Sequence, residues 1–312
     1  MELRRILVAI KHWQRGLPLA ARHARALAQN AGAEIQLVST VFDADVEAIV
    51  DRDERGARTA ENRAVSAART DLERLAASMR DWGVRVSTKA LLGVPAYESI
   101  LRAVEEWRPD LLVVGVHEPE KLHTRFTDTD WQLMRRAPCP LLLVKGGTFS
   151  GYRTIVSAVD PLHAHDEPDG LDQDVLDAGR CFARLFNSSL RAVYAYRGAS
   201  GFELASAVEV APGVLYGAEN VRALHQRAVN ELVEQYGISE SEVDLVEGAP
   251  AEVVIDAAAE RSAELVVVGS PQRRGILAAL VGSTAESEAA SVACDVLVVP
   301  PRAPSARRRA HK

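Results

Sequence analysis

Cysteine is scarce in this chain of 312 residues: Cys139, Cys181 and Cys294 form neither a CxxC pair nor an even set. That excludes a disulfide framework and points to buried thiols in a reducing cytoplasm. Basic charge is in deficit, with 37 Lys and Arg against 43 Asp and Glu and a net charge of -6. A general nucleic-acid coat protein is therefore not expected. No apolar run approaches the ~20 residues of a membrane helix. The start is basic, but its apolar run covers only residues 6–10 and no small-residue cleavage site follows, so it is not a secretory signal. Gly-x-Ser-x-Gly, His-Glu-x-x-His and Walker motifs are missing, as are His-Ile-Gly-His and Ser-Gly-Gly-x-Asp-Ser. What remains is 47% hydrophobic and 26% charged, an ordinary globular composition. Single cores rarely grow beyond ~250 residues, so this length predicts two domains.

Short apolar runs alternate with longer stretches of helical period. Strands are predicted over 3–10, 34–41, 84–91, 110–116 and 141–145, and helices over 17–30, 60–82, 95–106 and 130–136. Residues 43–59 are charged and poorly periodic, a loop or loose helix. The order then begins again. Strands are predicted over 153–159, 190–196, 242–246, 265–268 and 296–299. Helices fall over 171–186, within 217–236, and over 250–261 and 284–292. This alternation implies α/β domains whose parallel sheets are covered by helices on both faces.

The two halves also match residue by residue. Gly93-Val-Pro-Ala96 matches Gly248-Ala-Pro-Ala251, and Asp110-Leu-Leu-Val-Val-Gly115 matches Glu264-Leu-Val-Val-Val-Gly269. Cys139-Pro-Leu-Leu-Leu-Val144 matches Cys294-Asp-Val-Leu-Val-Val299. A period of ~150 residues is too long for a solenoid unit, so a domain is duplicated. The expected domains are 1–147 and 151–301, joined by a short glycine-rich linker. The basic, Pro/Ala-rich residues 302–312 are expected to be a disordered tail.

Residues 264–286 carry the chemistry. A buried strand ends at Gly269, a glycine-punctuated loop follows, and Gly282-Ser283-Thr284 opens a helix. Free backbone N–H groups and the helix dipole suit phosphate there, and glycine lets an anion approach the main chain. A tight turn followed by an ordinary N-cap fits the same residues.

The duplicated domain, the strand-loop-Gly-Ser-helix and the Gly-x-Pro-Ala turn together resemble a tandem universal stress protein. Phe126-Thr-Asp-Thr-Asp-Trp131 and Leu133-Met-Arg-Arg-Ala-Pro138 resemble the E type of that family. The resemblance implies two doubly wound domains, each a five-stranded parallel sheet in the order 3-2-1-4-5. It implies that the domains pack as an internal pseudo-dimer through their final strands; a homodimer of whole chains stays open. It also implies a cytoplasmic, nucleotide-dependent regulator of stress survival that binds ATP, with Mg²⁺, and hydrolyses it slowly at most. The family's nucleotide motif falls on Gly269, Gln272, Gly282 and Ser283, with Gln272 where the family has glycine and with Gly275 present. The base-contacting aspartate corresponds to Asp160. Thr284 would join the phosphate ligands, and Arg273 and Arg274 would either screen phosphate charge or face solvent. A nucleotide-independent interaction protein of the same fold is the alternative, which Gln272 favours.

The first repeat lacks these residues. Lys11 replaces Asp160, Glu118 replaces the second glycine, and Asp128-Thr129 replaces Gly282-Ser283. A carboxylate where phosphate would sit repels it, so this domain is not expected to bind ATP. His12, His117 and His123 fall near the same strand ends. With Glu118 or Glu120 they are candidate zinc ligands, although their spacing fits no fixed zinc motif. Surface or hydrogen-bonded histidines are the alternative.

Overall fold

The computed structural model describes residues 1–10, 16–41, 54–93, 95–116, 127–145, 149–162, 170–196, 218–270 and 292–301. The first repeat supplies strands β1 (Arg5–Ile10), β2 (Glu34–Val41), β3 (Arg85–Leu92), β4 (Leu111–Gly115) and β5 (Leu141–Val144). Its helices are α1 (Leu19–Ala31), α2 (Glu54–Arg80), α3 (Ala96–Trp107) and α4 (Asp128–Arg136). The second repeat supplies β6 (Thr154–Ala158), β7 (Ser189–Tyr196), β8 (Val243–Glu247), β9 (Leu265–Gly269) and β10 (Asp295–Val299). Its described helices are α5 (Leu171–Phe186), α6 (Ala218–Glu234) and α7 (Pro250–Glu260). The helix expected over 284–292 lies largely outside the described residues.

Contacts divide the chain into two compact units, Met1–Gly151 with Cys294–Pro300, and Tyr152–Ala293. In the first unit the parallel order is β3-β2-β1-β4-β5, as expected. Ile6, Leu7, Val8 and the run Leu111 to Val114 are fully buried. Central strands covered on both faces need such unbroken apolar runs. The alanines of α1 let it lie close on the sheet, with Ala20, Ala21, Ala24, Leu27 and Ala28 buried. The second unit repeats the order as β8-β7-β6-β9, again parallel.

Matching acids hold the two sheets at their amino ends. Asp110 Oδ2 accepts hydrogen bonds from the backbone N–H groups of Arg4 and Arg5, at 2.8 and 2.9 Å. Glu264 Oε2 does the same for Arg153 and Thr154, at 2.9 and 2.8 Å. One carboxylate thus ties the start of the first strand to the start of the fourth in each repeat. The Gly-x-Pro-Ala turns are used differently. Pro95 is the N-cap of α3, whereas Pro250 is the first residue of α7, where its missing N–H costs nothing.

The last strand, β10, joins the first unit and pairs antiparallel with β5, placing Val296, Leu297 and Val298 beside Leu143, Leu142 and Leu141. An apolar edge of β5 is thereby covered rather than left open to another chain. A buried polar cluster fixes this pairing. Asp295 Oδ1 accepts from Lys145 N at 2.9 Å, and Asp295 Oδ2 lies 3.0 Å from His23 Nε2. His23 Nδ1 is 2.9 Å from the Leu19 carbonyl, and its ring lies 3.8 Å from that of Phe149.

Two boundaries differ from the sequence expectation. Helix α2 starts at Glu54, not at 60, because Glu, Arg and Ala extend a helix by propensity without any apolar period. Helix α4 starts at Asp128, because Thr127 and Asp130 form a capping box that the apolar pattern does not reveal.

Candidate functional site

In the second unit, β6 turns towards β7 on one side and has β9 on the other. A doubly wound sheet opens its ligand crevice at such a reversal, at the carboxyl ends of the strands. Asp160 follows β6 and Gly269 ends β9, and the parallel register of Ser157 with Val267 brings both to this crevice. These two expected site residues are thus brought together. Gln272, Arg273, Arg274, Gly275, Gly282, Ser283 and Thr284 lie outside the described residues.

Asp160 is buried, and its backbone N–H donates to Asp172 Oδ1 at 2.8 Å. Asp172 sits in the first turn of α5, which starts after Gly170 in the left-handed conformation, at φ 88°. The start of α5 therefore fixes the position of Asp160. Gly269 is needed for close packing: a Cβ there would lie 2.6 Å from Leu171 Cδ2. The matching Gly115 has only Ala20 nearby, at 3.7 Å. Leu171 thus gives Gly269 a packing role that the sequence pattern did not show.

Sequence inspection also missed a group beside Asp160. Tyr194 and Tyr196, from the carboxyl end of β7, are both buried. The Tyr194 hydroxyl lies 2.6 Å from Nδ1 of the half-buried His225 on α6. The Tyr196 and His225 rings lie 4.9 Å apart at 31°. Burial pushes the Tyr194 phenol well above its usual range, and the charges of Asp160 and Asp172 add to the shift. Burial lowers His225, against an opposing pull from Asp160. The only sequence signal was the tyrosine pair closing a strand; His225 comes to it from a different element.

The equivalent helix start in the first unit is filled by the protein itself. The Thr127 side chain accepts from Asp130 N, while Asp130 Oδ2 accepts from Thr127 N at 2.8 Å. Asp130 is fully buried, and Asp128 adds a second acid to the same turn. Carboxylates thus take up the N–H groups and the dipole that an anion would use. Lys11, Glu118 and the candidate zinc ligands His12, His117 and His123 lie outside the described residues. Among the described residues no group of three or more His, Cys, Asp or Glu could hold a metal ion. Among them, too, no helix is long and apolar enough to cross a membrane.

A groove of about 490 Å³ runs along β8 and is lined by Arg222, Leu245, Glu252, Asp256 and Arg261, among others. Its central acid is already matched. Asp244 Oδ1 is 2.9 Å from Arg191 Nη2 and 2.7 Å from Arg261 Nη2. Burial would raise the Asp244 carboxyl, but the two guanidinium groups outweigh it and hold the acid below its usual range. This groove lies along the sheet edge, whereas the crevice gathers Asp160, Gly269 and the tyrosine pair.

Comparisons with known proteins agree with this architecture. Residues 2–145 and 151–300 each match the model of the Universal stress protein family. The universal stress protein E of Escherichia coli K12 is 29% identical over 287 residues, covering 90% of this chain and 89% of that protein. The universal stress protein E homolog of Haemophilus influenzae is 33% identical over 207 residues, 65% of this chain and 66% of that one. A putative universal stress protein from Pseudomonas aeruginosa UCBPP-PA14 superposes with a TM-score of 0.70 at 25% identity, covering 96% of this chain and 94% of that one. With two family domains in tandem and a relationship to the E type that spans most of its length, this chain belongs to the universal stress protein family.

Proposed function

We propose that the second repeat binds ATP, with Mg²⁺, at the carboxyl ends of β6 and β9, and that the protein acts as a cytoplasmic, nucleotide-dependent regulator. Family membership supports a role in the stress response. The observation that carries nucleotide binding is the convergence of Asp160 and Gly269 at the sheet's switch point, with Gly282-Ser283 following in sequence. Asp160 would accept from the adenine amine, and Gly282, Ser283 and Thr284 would take the phosphates, with Arg273 beside them. Gln272 keeps a donor in the loop but adds bulk where backbone approach is wanted. The first repeat binds no ATP, because Asp128 and Asp130 occupy its helix start. Hydrolysis is slow at most, since no arranged pair of carboxylates was found in the sequence to activate a water.

A second reading, a nucleotide-independent interaction protein, is favoured by Gln272 and by Leu171 packing against Gly269. Nucleotide extracted from the purified protein separates the two. Adenine nucleotide near one per chain supports the regulator. Its absence, together with no ATP uptake on incubation, supports the interaction protein. ADP as the slow product would agree with the regulator; AMP would point to different chemistry.

A further inference from the structure

The group around His225 extends this reading. Tyr194 is buried among carboxylates that keep its phenol protonated, so its O–H donates to His225 Nδ1. The ring is then neutral, and its hydrogen is on Nε2. Among the described residues, Nε2 has no hydrogen-bond partner. One ring face rests near Tyr196, and the orientation is fixed by the short Tyr194 contact. Asp160 lies close enough for its charge to act on both His225 and Tyr194. A fixed N–H donor therefore stands beside the carboxylate at the crevice end of β7.

Only the second repeat has this arrangement. The eight-residue strands β2 and β7 correspond, and β2 carries Ser39 and Val41 where β7 carries Tyr194 and Tyr196. Lys11 replaces Asp160 in the same repeat. The second repeat thus holds a donor and an acceptor together where the first holds neither. Adenine presents the complementary pair, an exocyclic N–H donor next to a ring-nitrogen acceptor.

We propose that His225 is the second base-contacting residue of the crevice, its Nε2–H donating to a ring nitrogen of adenine while Asp160 accepts from the exocyclic amine. Tyr194 is a positioning residue that fixes the tautomer, and Tyr196 holds the ring plane. The proposal rests on ATP binding in the second repeat and names what would read its base.

The test is calorimetric titration of the full chain and its His225→Phe variant with ATP and with inorganic tripolyphosphate, both with Mg²⁺. Phenylalanine keeps an aromatic ring against Tyr196 but removes the donor. Affinity for ATP should fall roughly 3- to 12-fold, the value of one neutral hydrogen bond, while affinity for tripolyphosphate stays the same. His225→Gln, which restores an N–H, should recover part of the loss. Unchanged ATP affinity in His225→Phe overturns the proposal, as does an equal loss for both ligands with wild-type unfolding behaviour. If the wild type binds neither ligand, the nucleotide reading itself fails, and the base contact fails with it.

Discussion

Replacing Asp295 by alanine removes one carboxylate and leaves two buried donors without an acceptor. Lys145 N–H loses its 2.9 Å contact, and His23 Nε2 loses its partner at 3.0 Å. The side chains of His23 and Asp295 are 2% and 7% exposed, so water does not readily replace the acid. An unsatisfied buried donor costs about 1–3 kcal/mol, and breaking a buried ion pair on one side costs about 3–5 kcal/mol. We expect Asp295→Ala to destabilise the first unit by roughly 3–4 kcal/mol. Asp295→Asn should cost only about 1 kcal/mol, because its carbonyl still accepts from Lys145 N. Its amide can donate to Nε2 of a ring that keeps its proton on Nδ1, facing the Leu19 carbonyl. All four tryptophans, Trp13, Trp82, Trp107 and Trp131, lie in the first unit, so fluorescence during urea unfolding reports on that unit. A cost below about 1 kcal/mol for Asp295→Ala, or equal costs for the two variants, would refute the role given to this cluster.

Two further substitutions test packing and charge. Burial pushes Lys145 down to about 8 from 10.5, against the opposing pull of Cys294 and Asp295. Between about pH 8 and 10.5 the unfolded chain binds the extra proton, so stability should rise with pH there, by up to about 3 kcal/mol. Lys145→Met should flatten that rise and be the more stable protein at pH 7, as read by urea midpoints across the range. Gly269→Ala places a Cβ 2.6 Å from Leu171 Cδ2 and should cost about 1–3 kcal/mol of second-unit stability. Adding Leu171→Ala should cancel much of the clash, giving a double variant whose calorimetric melting loss is smaller than the sum of the two single losses.

Much of the fold was legible because central strands advertise themselves. Leu111 to Val114 and Leu265 to Val268 are unbroken apolar runs, and the same words recur in both halves. The strand order came from the family resemblance, since strand spacing alone does not fix neighbours. The start of α2 was missed because no apolar stripe marks it. Asp110 and Glu264 aligned in the repeat, yet their clamping of the strand starts needed coordinates. His23 and Asp295 come from opposite ends of the chain, and neither lies in a motif. In the candidate site, Asp160 and Gly269 were readable as strand ends. Tyr194, His225 and Asp172 were not, because each belongs to a different element and only tertiary packing joins them.

The most direct test of the central claim is calorimetric titration of ATP with Mg²⁺ into the wild type and Gly282→Asp, which copies the first repeat's Asp128 into the second. Binding near one ATP per chain, abolished in the variant at unchanged thermal stability, is the predicted result. No binding to the wild type, or equal binding to both proteins, would contradict it.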